Sequence, residues 1–407
     1  MSGRSSLFGG LLANSSIGVA VVGAGMAGKA HAASYRNAPA LYESILPPIR
    51  LVSIADAFEP VGAAAAKRFG YSRHDTSWQA IAEADDIDVV SVVVANDLHR
   101  EIVEGLLAAG KHVLCEKPLS DTLADARAMA EAADKAVTIA RIGLTFRRAP
   151  GIAYIRQLIQ SGQLGKVLHV SIRYWTDYAT DPKSAISWRF KGPSGSGALA
   201  DVGSHASYLA EFLAGSATNV SGGRFSTVIS QRPKPLGVVS GHGHSAVSDE
   251  YDTVENDDYA TFSLGFDSGA AGTIEVSRVA AGHANDLQIE IFAERGAAKF
   301  NQTRPAEIEL FLTEGDRAQQ GYRRIPLGHP HPYVAGGMPI DVAGVGFGQN
   351  EGFLFQARAF LEEVAGLDES VSLPRNAGFN EGVHNMELLA AVAESERLGG
   401  SVVKLAK

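Results

Sequence analysis

Three polar residues stand where the chain could put them to chemical use. Val113-Leu-Cys-Glu-Lys-Pro118 is a short apolar run that ends in a glutamate and a lysine and is closed by a proline. In an open parallel sheet, ligands sit outside the carboxyl ends of the strands. Lys117 at such an end is either a salt-bridged structural group or a positive charge aimed at a ligand. Further on, residues 187–205 read Ser-Trp-Arg-Phe-Lys-Gly-Pro-Ser-Gly-Ser-Gly-Ala-Leu-Ala-Asp-Val-Gly-Ser-His. The glycine and serine run gives a flexible loop able to cover a ligand, and a helix follows from about Asp201 to Leu213. Asp201 and His205 are four apart and share one face of its first turn. The pair reads as a capping aspartate beside a packed histidine, as part of a metal site, or as an acid–base pair. In the last reading histidine moves a proton while aspartate orients it and stabilises its cation. A metal needs more ligands. His242, His244, His329 and His331 are available, but their spacing fits no known site, so no metal is expected.

The elements that would position Lys117 are legible upstream. Ile17–Val22 reads as a buried strand, and a helix follows from about Lys29 to Asn37. Between them stands Gly23-Ala24-Gly25-Met26-Ala27-Gly28, a G-x-G-x-x-G turn. Its first glycine allows the tight turn and its second lets the backbone approach a pyrophosphate. The third lets the helix pack on the strand, and the helix N-terminus offers N–H groups to phosphates. Gly23, Ala24, Gly25, Met26 and Ala27 are therefore candidate dinucleotide contacts. A second strand, Arg50–Ala55, ends in Asp56, which can accept hydrogen bonds from an adenosine ribose or cap the next helix, Glu59–Phe69. Ala57 follows it, and no arginine is near to neutralise a 2′-phosphate, so NAD is expected over NADP. Strand and helix keep alternating through Trp78–Ala84, Val89–Ala95, Glu101–Ala109, Val113–Cys115, Leu123–Ala136 and Val137–Leu144. That alternation implies a doubly wound parallel sheet, a Rossmann domain over residues 17–146. Asn96, His99, Glu116 and Lys117 fall at carboxyl ends of its strands, on the edge that carries the glycine turn.

Beyond about Arg147 the pattern changes. A helix at Ile152–Ser161 and a strand at 165–174 are followed by strands near 219–228, 259–266, 270–278, 287–293, 297–301 and 308–312. Short turns such as Asp267-Ser-Gly269 and Glu294-Arg-Gly296 link neighbours as antiparallel hairpins. Residues 147–407 thus read as an α+β domain on a large, mostly antiparallel sheet, with one face open to an oligomer interface. Long loops at 231–252 and 328–348 bear Gly, Pro and His, and long loops are often functional. Helices at 352–365 and 380–397 close the chain, and Asn376–Glu381 could return the last one towards the first domain.

Composition sets the bounds. The chain has 407 residues, 45% hydrophobic and 20% charged, with a formal net charge of −9. Two or three domains are expected, and an acidic balance argues against nucleic acid or an anionic membrane as main partner. One cysteine, Cys115, excludes an intrachain disulfide framework, fits a reducing cytoplasmic setting, and at the end of an apolar strand reads as a buried inert thiol. Met1–Ser16 lacks the long apolar region of a signal peptide and reads as a flexible arm.

Taken together, Gly23/Gly25/Gly28, Glu116-Lys117-Pro118 and Asp201-Val-Gly-Ser-His205 resemble the glucose–fructose oxidoreductase / inositol dehydrogenase (Gfo/Idh/MocA) family over nearly the whole chain. The resemblance implies catalysis by Lys117, Asp201 and His205, with hydride transferred between a ring hydroxyl of a sugar or cyclic polyol and NAD. It also implies a homodimer or homotetramer. Within the family the sequence is most similar to the levoglucosan-type pyranoside dehydrogenases, on Phe146-Arg-Arg148, Asp177-Tyr-Ala-Thr-Asp-Pro182, Ser187-Trp-Arg-Phe190 and His331-Pro-Tyr333. Those relatives would have tyrosine at Phe146 and glutamine at Thr176, so a different sugar is expected with the same reaction class. The resemblance places Phe146, Arg147, Thr176, Asp177, His331 and Tyr333 about the substrate, and Trp188 and Arg189 about substrate or nicotinamide. Alternatives are a cyclitol dehydrogenase, an NADH-dependent keto-sugar reductase, or a non-enzymatic NAD-binding regulator, which would not need to keep all three catalytic residues.

Overall fold

The structure, a computed structural model, describes residues 16–43, 46–237 and 245–405. The strands are β1 Ile17–Val22, β2 Ile49–Ala55, β3 Arg73–Asp75, β4 Val89–Val92, β5 His112–Glu116 and β6 Ala140–Gly143. They continue with β7 Val167–Trp175, β8 Ala217–Ser226, β9 Gln231–Pro235, β10 Val247–Thr253, β11 Tyr259–Phe266 and β12 Ala271–Ser277. The last five are β13 Asp286–Ala293, β14 Gly296–Asn301, β15 Glu307–Leu312, β16 Arg323–Pro326 and β17 Val403–Lys404. The α-helices are α1 Met26–Asn37, α2 Glu59–Phe69, α3 Trp78–Glu83, α4 His99–Ala108, α5 Leu123–Lys135, α6 Pro150–Gln160, α7 Ser204–Ala214, α8 Gln349–Val364 and α9 Phe379–Arg397.

The chain divides into two units. The first gathers the residues through Gly143 with Gly336–Pro339 and Asn350–Asn380, and the second gathers the remainder. In the first, six parallel strands lie in the order β3-β2-β1-β4-β5-β6. All six residues of β1 are buried, as expected of a central parallel strand covered on both faces. α2 shows how locally consistent the sequence is: Pro60 sits in its first turn, Lys67 and Arg68 in its last, and Gly70 closes it at φ 75° with its N–H on Ala66 O.

The expected second domain, 147–407, loses residues 350–380 to the first unit. The cause is burial. Ala357, Phe360 and Leu361 of α8 join the core of Val19, Val21, Ala32, Tyr35 and Ile54. Buried Arg358 donates to the carbonyls of Ala38 (3.1 Å) and Leu41 (2.6 Å). The Ile142 N–H on the edge strand β6 donates to Ala377 O at 2.9 Å. The return of the chain near Asn376 towards the first unit is thus made by α8 and the segment after it.

In the second unit nine strands run β16-β15-β14-β13-β7-β12-β11-β8-β17, antiparallel except for β7 beside β12. β11 alternates strictly, burying Ala260, Phe262, Leu264 and Phe266. Its opposite face presents polar residues and aromatic pairs, such as Lys299 against Glu290 at 3.2 Å and His169 stacked on Phe292 at 4.3 Å. The 231–252 loop is in its described part a two-stranded ribbon, β9 with β10. Residues 1–15 of the expected arm, and His242 and His244, lie outside the described residues.

Candidate functional site

The glycine turn is built for a close approach of backbone to ligand. Gly23 has φ 99°, and a Cβ there would lie 2.0 Å from Val93 O. A Cβ on Gly28 would lie 1.9 Å from Gly23 O, so α1 can pack on β1 only without one. A Cβ on Gly25 would meet nothing within 4 Å: it faces open space, where only a bound group gains from its small size. Gly25 opens α1 with no side-chain cap, and helix geometry leaves the amides of Met26, Ala27 and Gly28 without intrahelical acceptors. Asp56, half-buried at the end of β2, accepts Ala24 N–H through Oδ2 and Phe58 N–H through Oδ1, both at 2.9 Å. It therefore caps the glycine turn and keeps lone pairs for a ribose. Turn, helix end and acid fit a dinucleotide: the turn and α1 would hold its pyrophosphate and Asp56 its adenosine ribose.

At the ends of β4 and β5 the expected residues separate into two kinds. Asn96 is half-buried in the turn before α4. His99 has no accessible surface, its ring nitrogens facing Leu119 O (3.2 Å) and Val94 O (3.3 Å), and burial lowers its pKa. Its ring packs β5 against α4, with both nitrogens on backbone carbonyls. Glu116 is also mostly buried. It meets His31 Nε2 at 2.9 Å and accepts the Lys117 N–H at 3.1 Å. His31 Nδ1 in turn meets Ser91 Oγ at 2.9 Å, and Ser91 meets Tyr35 OH at 2.8 Å. This chain across α1, β4 and β5 steadies the backbone that presents half-buried Lys117. Sequence reading missed it, since only folding brings His31 and Glu116 together. Cys115 is fully buried with its thiol pKa pushed well up by burial, as expected of an inert thiol.

In the second unit, Asp201 does not lie in an α-helical turn. It falls in a π-helical turn, Leu199–Gly203, and α7 begins at Ser204. The wider turn still leaves Asp201 and His205 near one side. The Asp201 carboxylate accepts Tyr178 OH at 2.9 Å and pairs with Arg189 Nη1 at 3.6 Å, so it is no simple cap. Tyr178 is partly buried, and desolvation with the Asp201 charge holds its pKa well above the ordinary range, keeping it a donor. Its only signal in the sequence was its place beside Asp177. The His205 ring is boxed by Phe146 (4.8 Å, edge-on) and Tyr174 (6.0 Å).

The remaining candidates scatter in role. Phe146 is 5% exposed and packs edge-on against His205. Buried Thr176 donates its hydroxyl to Ser277 O at 3.2 Å. Asp177 is half-buried, and its carbonyl accepts the Thr180 hydroxyl at 2.8 Å. Arg147 pairs with Glu381 at 3.4 Å and covers the Phe212 ring at 5.3 Å. Arg148, fully buried, donates to Tyr333 OH at 3.3 Å. Tyr333 takes a left-handed φ of 64°. His331 accepts Gly328 N–H at Nδ1 (3.0 Å) and packs edge-on against Tyr154. Trp188 is 48% exposed with the Arg189 guanidinium 4.6 Å from its ring, so it is a surface aromatic and not core. His329 is paired with Asp341 at 2.6 Å, and no cluster that could hold a metal occurs among the described residues.

Comparison with known proteins identifies the family. Residues 17–144 match the family model described as an oxidoreductase family with an NAD-binding Rossmann fold, and residues 152–299 match the GFO/IDH/MocA C-terminal domain. The chain is 33% identical over 358 residues to levoglucosan dehydrogenase of Pseudarthrobacter phenanthrenivorans, covering 86% of this chain and 89% of the relative. It is 30% identical over 310 residues to inositol 2-dehydrogenase of Rhizobium meliloti, covering 75% and 80%. A solved levoglucosan dehydrogenase in complex with NADH and levoglucosan superposes with a TM-score of 0.85 at 30% identity, over 96% of this chain and 100% of that one. The chain belongs to the GFO/IDH/MocA family of NAD-binding oxidoreductases.

Proposed function

We propose that the protein oxidises a ring hydroxyl of a neutral pyranose or anhydro sugar, C3 being the favoured position, with NAD as the acceptor. The observation that carries the proton-transfer step is the Asp201 carboxylate, held between the Tyr178 hydroxyl and Arg189 in the turn that leads into His205. A carboxylate beside a histidine stabilises its imidazolium. NAD, when bound, supplies the hydride acceptor at its nicotinamide ring. The His205 imidazole takes the hydroxyl proton, Lys117 donates a hydrogen bond to the developing alkoxide, and Asp201 orients the base or a neighbouring hydroxyl. Asp177, His331 and Tyr333 hold further hydroxyls, and Trp188 and Arg189 cover the ring or the nicotinamide. A neutral substrate is supported by the arginines: Arg147 already faces Glu381, Arg189 faces Asp201, and Arg148 is buried on Tyr333. The relatives named for levoglucosan and for inositol bracket the class, a cyclitol being the second reading. The same residues would serve reduction of the ketone by NADH. His205→Ala and Lys117→Ala should each lower kcat by about a hundredfold or more while NAD still binds. Near-normal turnover by either variant would contradict its assignment.

We also infer a homodimer or homotetramer, formed on the polar and aromatic outer face of the nine-stranded sheet. Such a face leaves alternate residues of β7, β11 and β13 for a partner. The fully buried single thiol supports a cytoplasmic setting.

A further inference from the structure

Three consecutive residues that the proposed chemistry leaves unused, Glu255-Asn256-Asp257, face the glycine-rich segment that leads to Asp201, and Asp258 follows them. Glu255 Oε2 accepts Gly192 N–H at 2.9 Å and Oε1 accepts Lys191 Nζ at 3.0 Å. Asn256 Nδ2 donates to the carbonyls of Arg189 and Lys191, each at 3.1 Å, and to Ser196 Oγ at 3.2 Å. Asp257 Oδ1 accepts the N–H groups of Gly195 and Gly197, both at 3.0 Å, and Oδ2 accepts Leu199 N–H at 2.8 Å. Its carbonyl accepts Ala198 N–H at 2.9 Å. Behind them Arg278 donates to Asp258 Oδ1 (2.8 Å), Asn256 Oδ1 (2.9 Å) and Arg189 O (2.9 Å). Asn256, Asp257, Asp258 and Arg278 are each at most 1% exposed.

A buried carboxylate is costly unless hydrogen bonds satisfy it. Asp257 is satisfied by backbone N–H groups of one segment and could not be satisfied if that segment swung away. Gly197 is fitted to it: a Cβ there would lie 2.1 Å from Asp257 O. Leu199 is the first residue of the π-helical turn, so Asp257 caps that turn from the loop between β10 and β11. Asp201 stands two residues further on, and Arg189, whose carbonyl both Asn256 and Arg278 hold, is its ion-pair partner. The glycine-rich run is therefore a tethered segment rather than the free loop its composition suggests.

We propose that Asp257, with Asn256, is a positioning residue for the reaction, fixing the segment from Arg189 to Leu199 and through it the Asp201 carboxylate. The proposal rests on the reading of Asp201 and His205 as the acid–base pair. The test uses the full chain and a neutral sugar that it oxidises. Asp257→Asn keeps the shape but turns an amide towards N–H donors. It should lower kcat tenfold or more, while the Kd of NADH, read by its fluorescence, changes less than threefold. In an Asp201→Asn background the same substitution should cost little more, because both act through one carboxylate. Unchanged kcat in a folded Asp257→Asn protein, or fully additive losses, would overturn the tether alone. Full turnover by Asp201→Asn would overturn the acid–base reading and the proposal with it. Hydrogen exchange on the unaltered protein guards against a variant that fails to fold. The amides of Gly195, Gly197, Ala198 and Leu199 should be protected like the interior of α7, and exchange at the rate of an open loop would overturn the tether.

Discussion

Asp56 is the residue we propose sets the choice of cofactor. Its two oxygens already hold Ala24 and Phe58 amides, which fixes the carboxylate where a ribose hydroxyl can reach its remaining lone pairs. A 2′-phosphate there would meet a fixed negative charge. kcat/KM should favour NAD over NADP by about tenfold or more, equivalent to about 1.4 kcal/mol, and Asp56→Ala should narrow the gap. Equal efficiencies in the unaltered protein would contradict this role. Residue types and spacing made Asp56, Lys117, Asp201 and His205 legible in the sequence. They could not reveal which way a side chain turns. A histidine at a helix start and a threonine after a strand look alike whether they face a ligand or the core, so the backbone bonds of His99 and Thr176 were not legible. Tyr178 and Asp257 escaped for the converse reason, because their partners lie far along the chain and only the fold joins them.

Elements are held around the proposed base by contacts between α7 and α9. Asn385 Nδ2 donates to Ser204 O (3.2 Å) and Ser207 Oγ (2.9 Å), and His384 Nε2 meets Glu211 Oε1 at 2.9 Å. The hydrogen bond to Glu211 raises the His384 pKa above its ordinary 6.5, with burial opposing. A raised folded-state pKa stabilises below the unfolded value and is lost as pH rises through the folded one. His384 is partly exposed, so solvent screens the pair and about 0.5 kcal/mol is expected. The Tm difference between the unaltered protein and His384→Gln should be widest near about pH 6 and close by about pH 8–9. A difference that grows with pH would contradict the assignment. Most elements were legible because their burial alternates or recurs, as in β1, β11 and α2. The missed ones, β3 as Arg-His-Asp, the β9–β10 ribbon and the short β16 and β17, are polar or brief. They pair through backbone hydrogen bonds, which leave no hydrophobic pattern behind.

At the scale of the whole molecule, the division into two units was legible from the change from parallel alternation to hairpins. The crossing of α8 into the first unit was not, because an amphipathic helix does not say which core it will join. Light scattering on the purified protein should give a mass of two or four chains, and a mass of one 42.8 kDa chain at micromolar concentration would refute the sheet-face assembly. The proposed substrate is a neutral pyranose or anhydro sugar. The most direct test of that claim is NADH formation from NAD with a panel of cyclitols and pyranoses, each pyranose supplied in neutral, 6-phospho and uronic forms. A neutral pyranose or anhydro sugar should be turned over with the highest kcat/KM. A higher value for a charged form would make Arg147, Arg148 and Arg189 the specificity determinants, and it would contradict the claim.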